Sequence, residues 1–322
     1  MKFKMKILPL LLISILSLFG TTLLFDSSFT EWDVKNEKTN KDSISWAKFK
    51  WTNEEINGRY FEKVSMFIPC KVDGVPNIVT FQFDLGADLT CIYEKNYSSF
   101  YRKNPKLSEN IKKETFRTKK YFENIKIQFG DYTATTKTSL ILADYGEFVE
   151  NFTKADTIHI GSICADIFKN RVLIIDYPNK QFAICNQIPN LFSNITLTDI
   201  TLDKKNRPLL QMTIQNRKYK VLFDNGSSMF PLITNKKNIS DFSSTTDTDT
   251  IQTSSWGKIH NVTGKPIEEP FTLGGQNFNS TMIYVDHRKQ QNKNEWDLIA
   301  GNALFWDKTI IIDFKNKKFG VK

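Results

Sequence analysis

The two halves of the chain repeat the same sequence patterns, and this repetition restricts the folds that the chain can adopt. An apolar run ending in Phe-Asp-x-Gly occurs at residues 79–87 and again at residues 219–227. A run of aliphatic residues followed by Asp and a turn occurs at residues 172–182 and again at residues 309–319. Two patterns repeated in the same order predict two copies of one structural unit.

The spacing between equivalent positions supports this interpretation. Asp84 and Asp176 are 92 positions apart, and Asp224 and Asp313 are 89 positions apart. A third marker, an apolar strand ending in glycine, follows the first Asp of each copy by 46 and 50 positions, at Gly130 and Gly274. Matching patterns at matching distances indicate a duplicated unit rather than chance similarity.

The composition predicts an all-β fold for both copies. Phe, Ile, Thr and Tyr recur in short runs broken by Asn, Gly and Asp, and few segments have the periodicity of an amphipathic helix. With 322 residues, 40% of them apolar, the chain can form two modest cores. We therefore predict two pseudo-symmetric β-barrel lobes, 46–190 and 191–322, with a central cleft.

The N-terminus predicts export. Lys2, Lys4 and Lys6 precede an uncharged, mostly apolar run at 7–25, which is typical of a signal peptide or a membrane anchor. Both interpretations place the rest of the chain outside the membrane, in the periplasm, on the cell surface or secreted. The polar segment 26–45 is predicted to be a linker.

The formal charge of +9 does not indicate a nucleic-acid partner, because the lysines are scattered and no recognised binding motif accompanies them. The histidines are also scattered and no two cysteines have the spacing of a zinc site, so we expect no metal. The cysteines have two interpretations, disulfides in an oxidising compartment or small buried hydrophobic residues. They are Cys70, Cys91, Cys164 and Cys185.

A single Asp-x-Gly turn is an ordinary way to end a strand, so neither copy alone predicts chemistry. Two copies in pseudo-symmetric lobes would meet at the shared axis. Two adjoining carboxyl groups cannot both ionise at low cost, so they share a proton. The ionised member, Asp84 or Asp224, can then take a proton from water while the protonated member donates one to a carbonyl oxygen.

These motifs resemble those of the pepsin and retropepsin superfamily of aspartic proteases. Residues 83–88, Phe-Asp-Leu-Gly-Ala-Asp, resemble the retropepsin signature Asp-Thr-Gly-Ala-Asp, and residues 223–228 resemble the pepsin signature Asp-Thr-Gly-Ser. Residues 298–302 resemble the apolar-apolar-Gly element of the family, whose first-lobe partner is either 158–161 or 163–164. The resemblance extends from about residue 60 to the C-terminus.

The resemblance implies that Asp84 and Asp224 are catalytic, that the substrate is a peptide or protein, and that no cofactor is needed. We also expect a monomer, attached to a membrane through its N-terminal segment only if that segment is not cleaved. The remaining turn residues would support the two aspartates: Leu85, Gly86, Ala87, Asn225, Gly226 and Ser227.

Two of these residues depart from the family pattern. The family has Thr or Ser after each catalytic Asp, where the hydroxyl bonds to the other lobe. Here Leu85 cannot form that bond, whereas Asn225 carries both a donor and an acceptor. Ser227 lies where a family hydroxyl supports its Asp, and Ala87 follows the retropepsin form.

The resemblance also implies a hairpin that closes over the substrate. We place it at residues 112–121, with Phe116 or Tyr121 as its aromatic tip. The equivalent second-lobe segment, 253–260, contains Trp256, which would line the cleft. The alternative is that these aromatic residues pack under loops.

Three functions are compatible with the sequence. The first is an exported aspartic-type endopeptidase that hydrolyses peptide bonds with a water molecule activated between Asp84 and Asp224. The second is a catalytically impaired relative that binds a peptide or another polymer, which Leu85 favours. The third is a membrane-anchored structural or adhesion module in which both Asp-x-Gly turns only close hairpins.

Overall fold

A computed structural model describes most of the chain after residue 30, and it confirms the predicted all-β class. It contains one α-helix, α1 (Glu94–Tyr101), among its described residues. The predicted signal or anchor at 7–25 lies outside them. No helix within the described part is long and apolar enough to cross a membrane. The described residues are 31–36, 44–109, 111–113, 120–142, 144–150, 158–243, 246–288 and 295–322.

The strands of the described residues form three sheets, one for each lobe and one shared between them. In chain order they are β1 (Asp33–Asn36), β2 (Ala47–Lys48), β3 (Lys50–Ile56), β4 (Arg59–Val72), β5 (Val79–Phe83), β6 (Cys91–Tyr93), β7 (Ile111–Lys113), β8 (Lys120–Phe129), β9 (Tyr132–Leu142), β10 (Ile158–Ile163), β11 (Val172–Asp176), β12 (Gln181–Cys185), β13 (Leu197–Asp199), β14 (Thr201–Leu202), β15 (Pro208–Ile214), β16 (Arg217–Phe223), β17 (Leu232–Asn235), β18 (Asp249–Ser255), β19 (Lys258–Ile267), β20 (Phe271–Leu273), β21 (Gln276–Phe278), β22 (Thr281–Asp286), β23 (Leu298–Ala300), β24 (Thr309–Asp313) and β25 (Lys318–Val321).

The two lobes have the same strand pairing. In the first lobe β5 lies between β4, which is antiparallel to it, and β10, which is parallel to it. In the second lobe β16 lies in the same way between β15 and β23. Further along the sheets, β6 is antiparallel to β10 and parallel to β9, as β17 is to β23 and β22. This shared order shows that the sequence repeat is a repeat of structure. In the first lobe the pairing of β8 with β9 closes the sheet.

The shared sheet is formed by the repeated aliphatic runs. Its order is β13, β25, β24, β11, β12 and β2, with β11 and β24 antiparallel at its centre. Ile174 faces Ile311 across this central pair, and both side chains are fully buried. Neighbours on the same strands, such as Leu173 and Ile312, point to the opposite face and join the main core. Burial on both faces explains why these strands are continuously apolar instead of alternating.

A long hairpin of the first lobe, β3 and β4, reaches the second lobe. Val64 is fully buried in one apolar cluster with Leu222 and Ile299 of the second-lobe sheet. Nearer the hairpin tip, the Arg59 guanidinium lies 2.6 Å from the Asp249 carboxylate. Because the Arg59 side chain is exposed to solvent, this ion pair contributes little to stability. The apolar contacts of Val64 therefore provide most of this connection between the lobes.

Part of the segment predicted as a linker, 26–45, belongs to the first lobe. Strand β1 is the edge strand of this sheet and pairs with β9, with Val34 opposite Ala134. Val34 is the one buried residue of the strand, and the other three are partly or fully exposed. A single buried position gives too weak an alternation to be recognised in a polar stretch.

All four cysteines are free thiols, and three of them are buried. Burial raises the pKa of Cys91 to about 12 and that of Cys185 to about 11. Such thiols react slowly, because the nucleophilic thiolate is scarcely populated at neutral pH. Of the two interpretations of the cysteines, the structure supports small buried hydrophobic residues.

Candidate active site

Each aspartate of the repeated motif lies directly after the central strand of its lobe. The backbone N–H of Asp84 donates to the carbonyl oxygen of Ile163 at 2.9 Å. The N–H of Asp224 donates to the carbonyl oxygen of Ala300 at the same distance. Both side chains are buried, with exposed fractions of 0% and 1%. The two strand ends thus hold the carboxyl groups in equivalent positions at the junction of the lobes.

The two carboxyl groups adjoin. Their side chains hydrogen-bond to one another. The N–H of Ala87 donates to Asp84 Oδ1 and the N–H of Gly226 donates to Asp224 Oδ1, each at 2.9 Å. Gly86 lies against the opposite carboxyl, since a Cβ atom built on it would lie 2.1 Å from Asp224 Cγ. The structure therefore brings together the two aspartates that the repeat singles out, and we call them the acid pair.

Burial, and then the negative charge of Asp84, raise the pKa of Asp224 well above its ordinary value of 3.8. The Gly226 N–H and the positive charge of Arg207 act in the opposite direction and are weaker. Two adjoining acids in a buried site titrate as a unit and keep one proton over a range of pH. The acid pair can therefore accept a proton at one carboxyl and donate one from the other.

This raised pKa predicts how stability depends on pH. The folded protein keeps a proton on Asp224 at pH values where the unfolded chain has lost it, so stability falls as pH rises above about 3.8. Asp224→Asn removes this titration. We expect urea unfolding to show that this variant gains stability relative to the wild type between pH 3.5 and pH 7. The control Asp199→Asn, whose partner is the exposed Lys318, should run parallel to the wild type. Parallel curves for Asp224→Asn would contradict the prediction.

The connection between the two turns is one-sided. Asn225 Oδ1 accepts a hydrogen bond from the backbone N–H of Leu85 at 2.6 Å. Leu85 cannot return this bond because its side chain has no polar atom, and the side chain is instead fully buried in the main apolar core. Within the described ranges, Asn225 Nδ2 has no hydrogen-bond partner. The second-lobe turn thus holds the first, whereas the first contributes apolar packing.

A loop threads past each turn, and the structure decides its first-lobe partner. In the second lobe a Cβ atom on Gly301 would lie 2.0 Å from the Ser227 carbonyl oxygen, so only glycine fits there. Because Asp84 bonds to Ile163 as Asp224 bonds to Ala300, the first-lobe equivalent of Gly301 is Cys164. Of the two candidate partners, 163–164 is therefore the correct one and 158–161 is not.

Ser227 differs from its predicted role. Its hydroxyl is buried and has no hydrogen-bond partner among the residues that the structure describes. The backbone N–H of Gly226 occupies the supporting position beside Asp224 instead. The turn is further held by Asn302, whose Nδ2 donates to the Asn225 carbonyl oxygen at 2.7 Å and to Ser228 Oγ at 2.9 Å.

Arg207 is a residue of the site that sequence reasoning missed. It comes from the second lobe and donates from Nη1 to the Gly86 carbonyl oxygen at 3.1 Å and to Asp88 Oδ1 at 3.0 Å. Its guanidinium also pairs with Asp203 at 2.6 Å and lies over the Trp296 ring. Asp88, a charge directly after the first motif, was the signal in the sequence, since a charge beside a buried turn needs a partner.

Replacing Arg207 by alanine is expected to destabilise the protein by about 3–5 kcal/mol, because the Asp203 carboxylate stays buried without its partner. Urea unfolding at neutral pH measures the loss. The control is Arg217→Ala, which breaks an exposed ion pair with Asp241 and should cost less than about 1 kcal/mol. Equal losses for the two variants would show that Arg207 does not hold the lobes together.

Of the aromatic residues predicted at the cleft or at the hairpin tip, the structure describes Trp256 and Tyr121, and these two lie in different places. Trp256 lies at the tip of the β18–β19 hairpin, and its ring centroid is 6.3 Å from that of Tyr93 and 5.4 Å from that of Tyr145. Trp256 therefore crosses from the second lobe to the first. Tyr121 is part of β8 and pairs with Leu140 of β9. Phe116 lies outside the described residues, although β7 and β8 pair on either side of it.

Comparisons with known proteins give a structural likeness alone. The solved structures that resemble this fold include the crystal structure of Basic 7S globulin from soybean, with a TM-score of 0.43 and 9% sequence identity. The match covers 87% of this chain and 95% of that one. No protein-family model matches the sequence. A search of curated proteins also found no match.

Proposed function

We propose that the protein is an exported aspartic-type endopeptidase that hydrolyses peptide bonds. One observation carries the proposal: two carboxyl groups from equivalent turns adjoin in a buried site, and the pKa of Asp224 is raised. Export rests on the N-terminal Lys2, Lys4 and Lys6 and the apolar run 7–25.

In the proposed reaction Asp84 is the base and Asp224 the acid. Asp84 takes a proton from a water molecule, whose oxygen forms a bond with the peptide carbonyl carbon. Asp224 gives its proton to the carbonyl oxygen, so that a neutral tetrahedral diol forms. The C–N bond then breaks as the amide nitrogen takes a proton from Asp84 and the diol returns one to Asp224. The products are a carboxylic acid and an amine, and the acid pair regains its single proton.

The experiment is acid cleavage of an unfolded protein by the full chain, analysed by mass spectrometry. We expect cleavage that is favoured at acid pH and blocked by a statine-type inhibitor, whose hydroxyl imitates the diol. An absence of cleavage across the acid range, with the protein folded, would reject the proposal.

A catalytically impaired, peptide-binding protein is the second candidate, and the one-sided connection at Leu85 favours it. Small misplacements of reacting groups cost catalysis heavily. Under this candidate the protein protects a bound peptide from other proteases without cutting it. A gain of activity in Leu85→Thr would identify the missing hydroxyl as the defect. The third candidate, a membrane-anchored structural or adhesion module, predicts that peptides neither bind nor are cleaved.

A further inference from the structure

The two lobes present opposite chemistry on the sheet faces beside the acid pair. Gln82 precedes Asp84 by two positions and pairs with Ser162, as Leu222 precedes Asp224 and pairs with Ile299. On the next strands, Cys91 pairs with Ser162 as Ile233 pairs with Ile299. The second-lobe face is thus aliphatic, and the equivalent first-lobe face carries an amide, a hydroxyl and a thiol.

The two faces also differ in how they are filled. The aliphatic second-lobe face is covered by the chain itself, because Val64 and Phe61 of the β3–β4 hairpin pack on it. On the first-lobe face Gln82 is fully buried, and neither Oε1 nor Nε2 has a hydrogen-bond partner among the described residues. Ser65, also fully buried, has a hydroxyl with no partner in the described part of the chain. Leaving a buried polar group unpaired costs about 1–3 kcal/mol. The unpaired Gln82 amide therefore lowers the stability of the folded protein.

Further polar atoms without partners surround this face. Phe67 of β4 pairs with Gln82 of β5, and the ring centroids of Phe67 and His159 are 4.5 Å apart. The ring centroid of Tyr93 is 5.3 Å from that of His159 and 4.8 Å from that of Tyr145. Within the described ranges, His159 Nε2 and the Tyr145 hydroxyl have no hydrogen-bond partner.

The protonation of His159 follows from its surroundings. Its Nδ1 lies 3.2 Å from the Thr80 carbonyl oxygen, which can only accept, so Nδ1 carries the proton. Burial lowers the pKa of His159 to about 4. The imidazole is therefore neutral through most of the pH range, and Nε2 is a hydrogen-bond acceptor.

Trp256 covers this face from the second lobe through an unusual turn. Trp256 and Gly257 have φ angles of 49° and 76°, the left-handed conformation that a two-residue hairpin turn needs at both positions. Asn or Gly adopts that conformation at less cost than a bulky residue does. Its indole Nε1 is buried and has no partner among the described residues. The strain indicates that the ring is retained for its position over Tyr93 and Tyr145.

We propose that this face is a specificity pocket, the polar pocket, which binds a carboxamide side chain, Asn or Gln, of the peptide held by the acid pair. Its members are Ser65, Gln82, Tyr145, His159 and Trp256. Together they offer N–H and O–H donors as well as carbonyl and imidazole acceptors, which a carboxamide complements. A charged side chain would find no opposite charge on these five residues and would lose its hydration. The inference rests on the proposed function only in taking a peptide as the ligand.

The test uses uncleavable peptides, so that it does not depend on turnover. Four reduced-amide peptides carry Gln-Leu, Leu-Gln, Gln-Gln or Leu-Leu on the two sides of the reduced bond, and calorimetry with the full chain gives each Kd. We expect the best Gln-containing peptide to bind at least about 10-fold more tightly than Leu-Leu, since a pocket with buried polar groups rejects a ligand that leaves them unpaired. In Gln82→Leu this preference should fall to within about twofold.

The matched control is Thr133→Val, because Thr133 is also buried in the first lobe with an unpartnered hydroxyl, but on β9 next to β1. It should leave the preference unchanged. Equal affinities for the four peptides, or no binding of any, would overturn the inference. A preference for Gln without cleavage would uphold the pocket and reject catalysis, whereas cleavage with equal affinities would reject the pocket alone.

Discussion

Replacing Asp84 or Asp224 by asparagine is expected to lower kcat/KM for peptide hydrolysis at least about a thousandfold, because each variant removes one of the two groups that transfer protons. The double variant should be about as inactive as either single one, since residues that act as a unit do not contribute additively. Both substitutions keep the size and shape of the side chain. The loss should therefore occur in kcat while statine-type inhibitors still compete for the site.

The measurement is single-turnover cleavage of a fluorogenic peptide at acid pH by variants shown to be folded by circular dichroism. Asp199→Asn is the control, because that side chain is exposed and touches Lys318 far from the acid pair. Cleavage that persists in both active-site variants would show that another group performs the chemistry. It would also leave the raised pKa of Asp224 without a catalytic role.

The second large effect is expected from Gly86→Ala. A Cβ atom on Gly86 would lie 2.1–2.5 Å from the carboxyl atoms of Asp224, closer than such atoms ever approach. Asp224 cannot move away easily, because the Gly226 N–H holds its Oδ1 at 2.9 Å and the whole side chain is buried. The turn or the carboxyl must therefore shift, and we expect a loss of at least about a hundredfold in kcat from misplaced reacting groups.

The same clash should reduce stability by about 1–3 kcal/mol, the usual cost of overpacking a buried site. Gly58→Ala is the control. Gly58 has a positive φ of 75° but no heavy atom within 4 Å of the added Cβ, so its cost is the backbone strain alone, about 1 kcal/mol. Activity should be unchanged in the control. Full activity in Gly86→Ala would mean that the two turns do not meet as described.

The Leu85 and Gln82 positions suggest that the two halves have specialised. The second-lobe turn supplies the bond between turns through Asn225, while the first-lobe turn supplies buried apolar surface through Leu85. Beside the acid pair the chemistry is reversed, with a polar first-lobe face at Gln82 and an aliphatic second-lobe face at Leu222. In this duplicated fold the first-lobe face keeps unpaired polar groups, whereas the second-lobe face is filled by the chain's own hairpin.

The sequence by itself determined the doubled fold. The runs ending in Asp176 and Asp313 are continuously apolar because their strands are buried on both faces, and the Phe-Asp-x-Gly motif marks the strands ending in Asp84 and Asp224, so both pairs were visible as repeats. Their similar spacing, 92 and 89 positions, also indicated that the acidic turns occupy equivalent places, since a repeated pattern reflects a repeated unit.

The tertiary structure alone decided which groups meet across the lobes. Arg207 reaches Gly86, Cys164 rather than Gly161 takes the place of Gly301, and Gln82 lies buried with no side-chain partner among the described residues. The physical reason is that periodicity reports which face of a strand is buried, but not what covers it. Contacts between residues more than a hundred positions apart depend on how the two lobes pack, and that packing is a property of the whole chain.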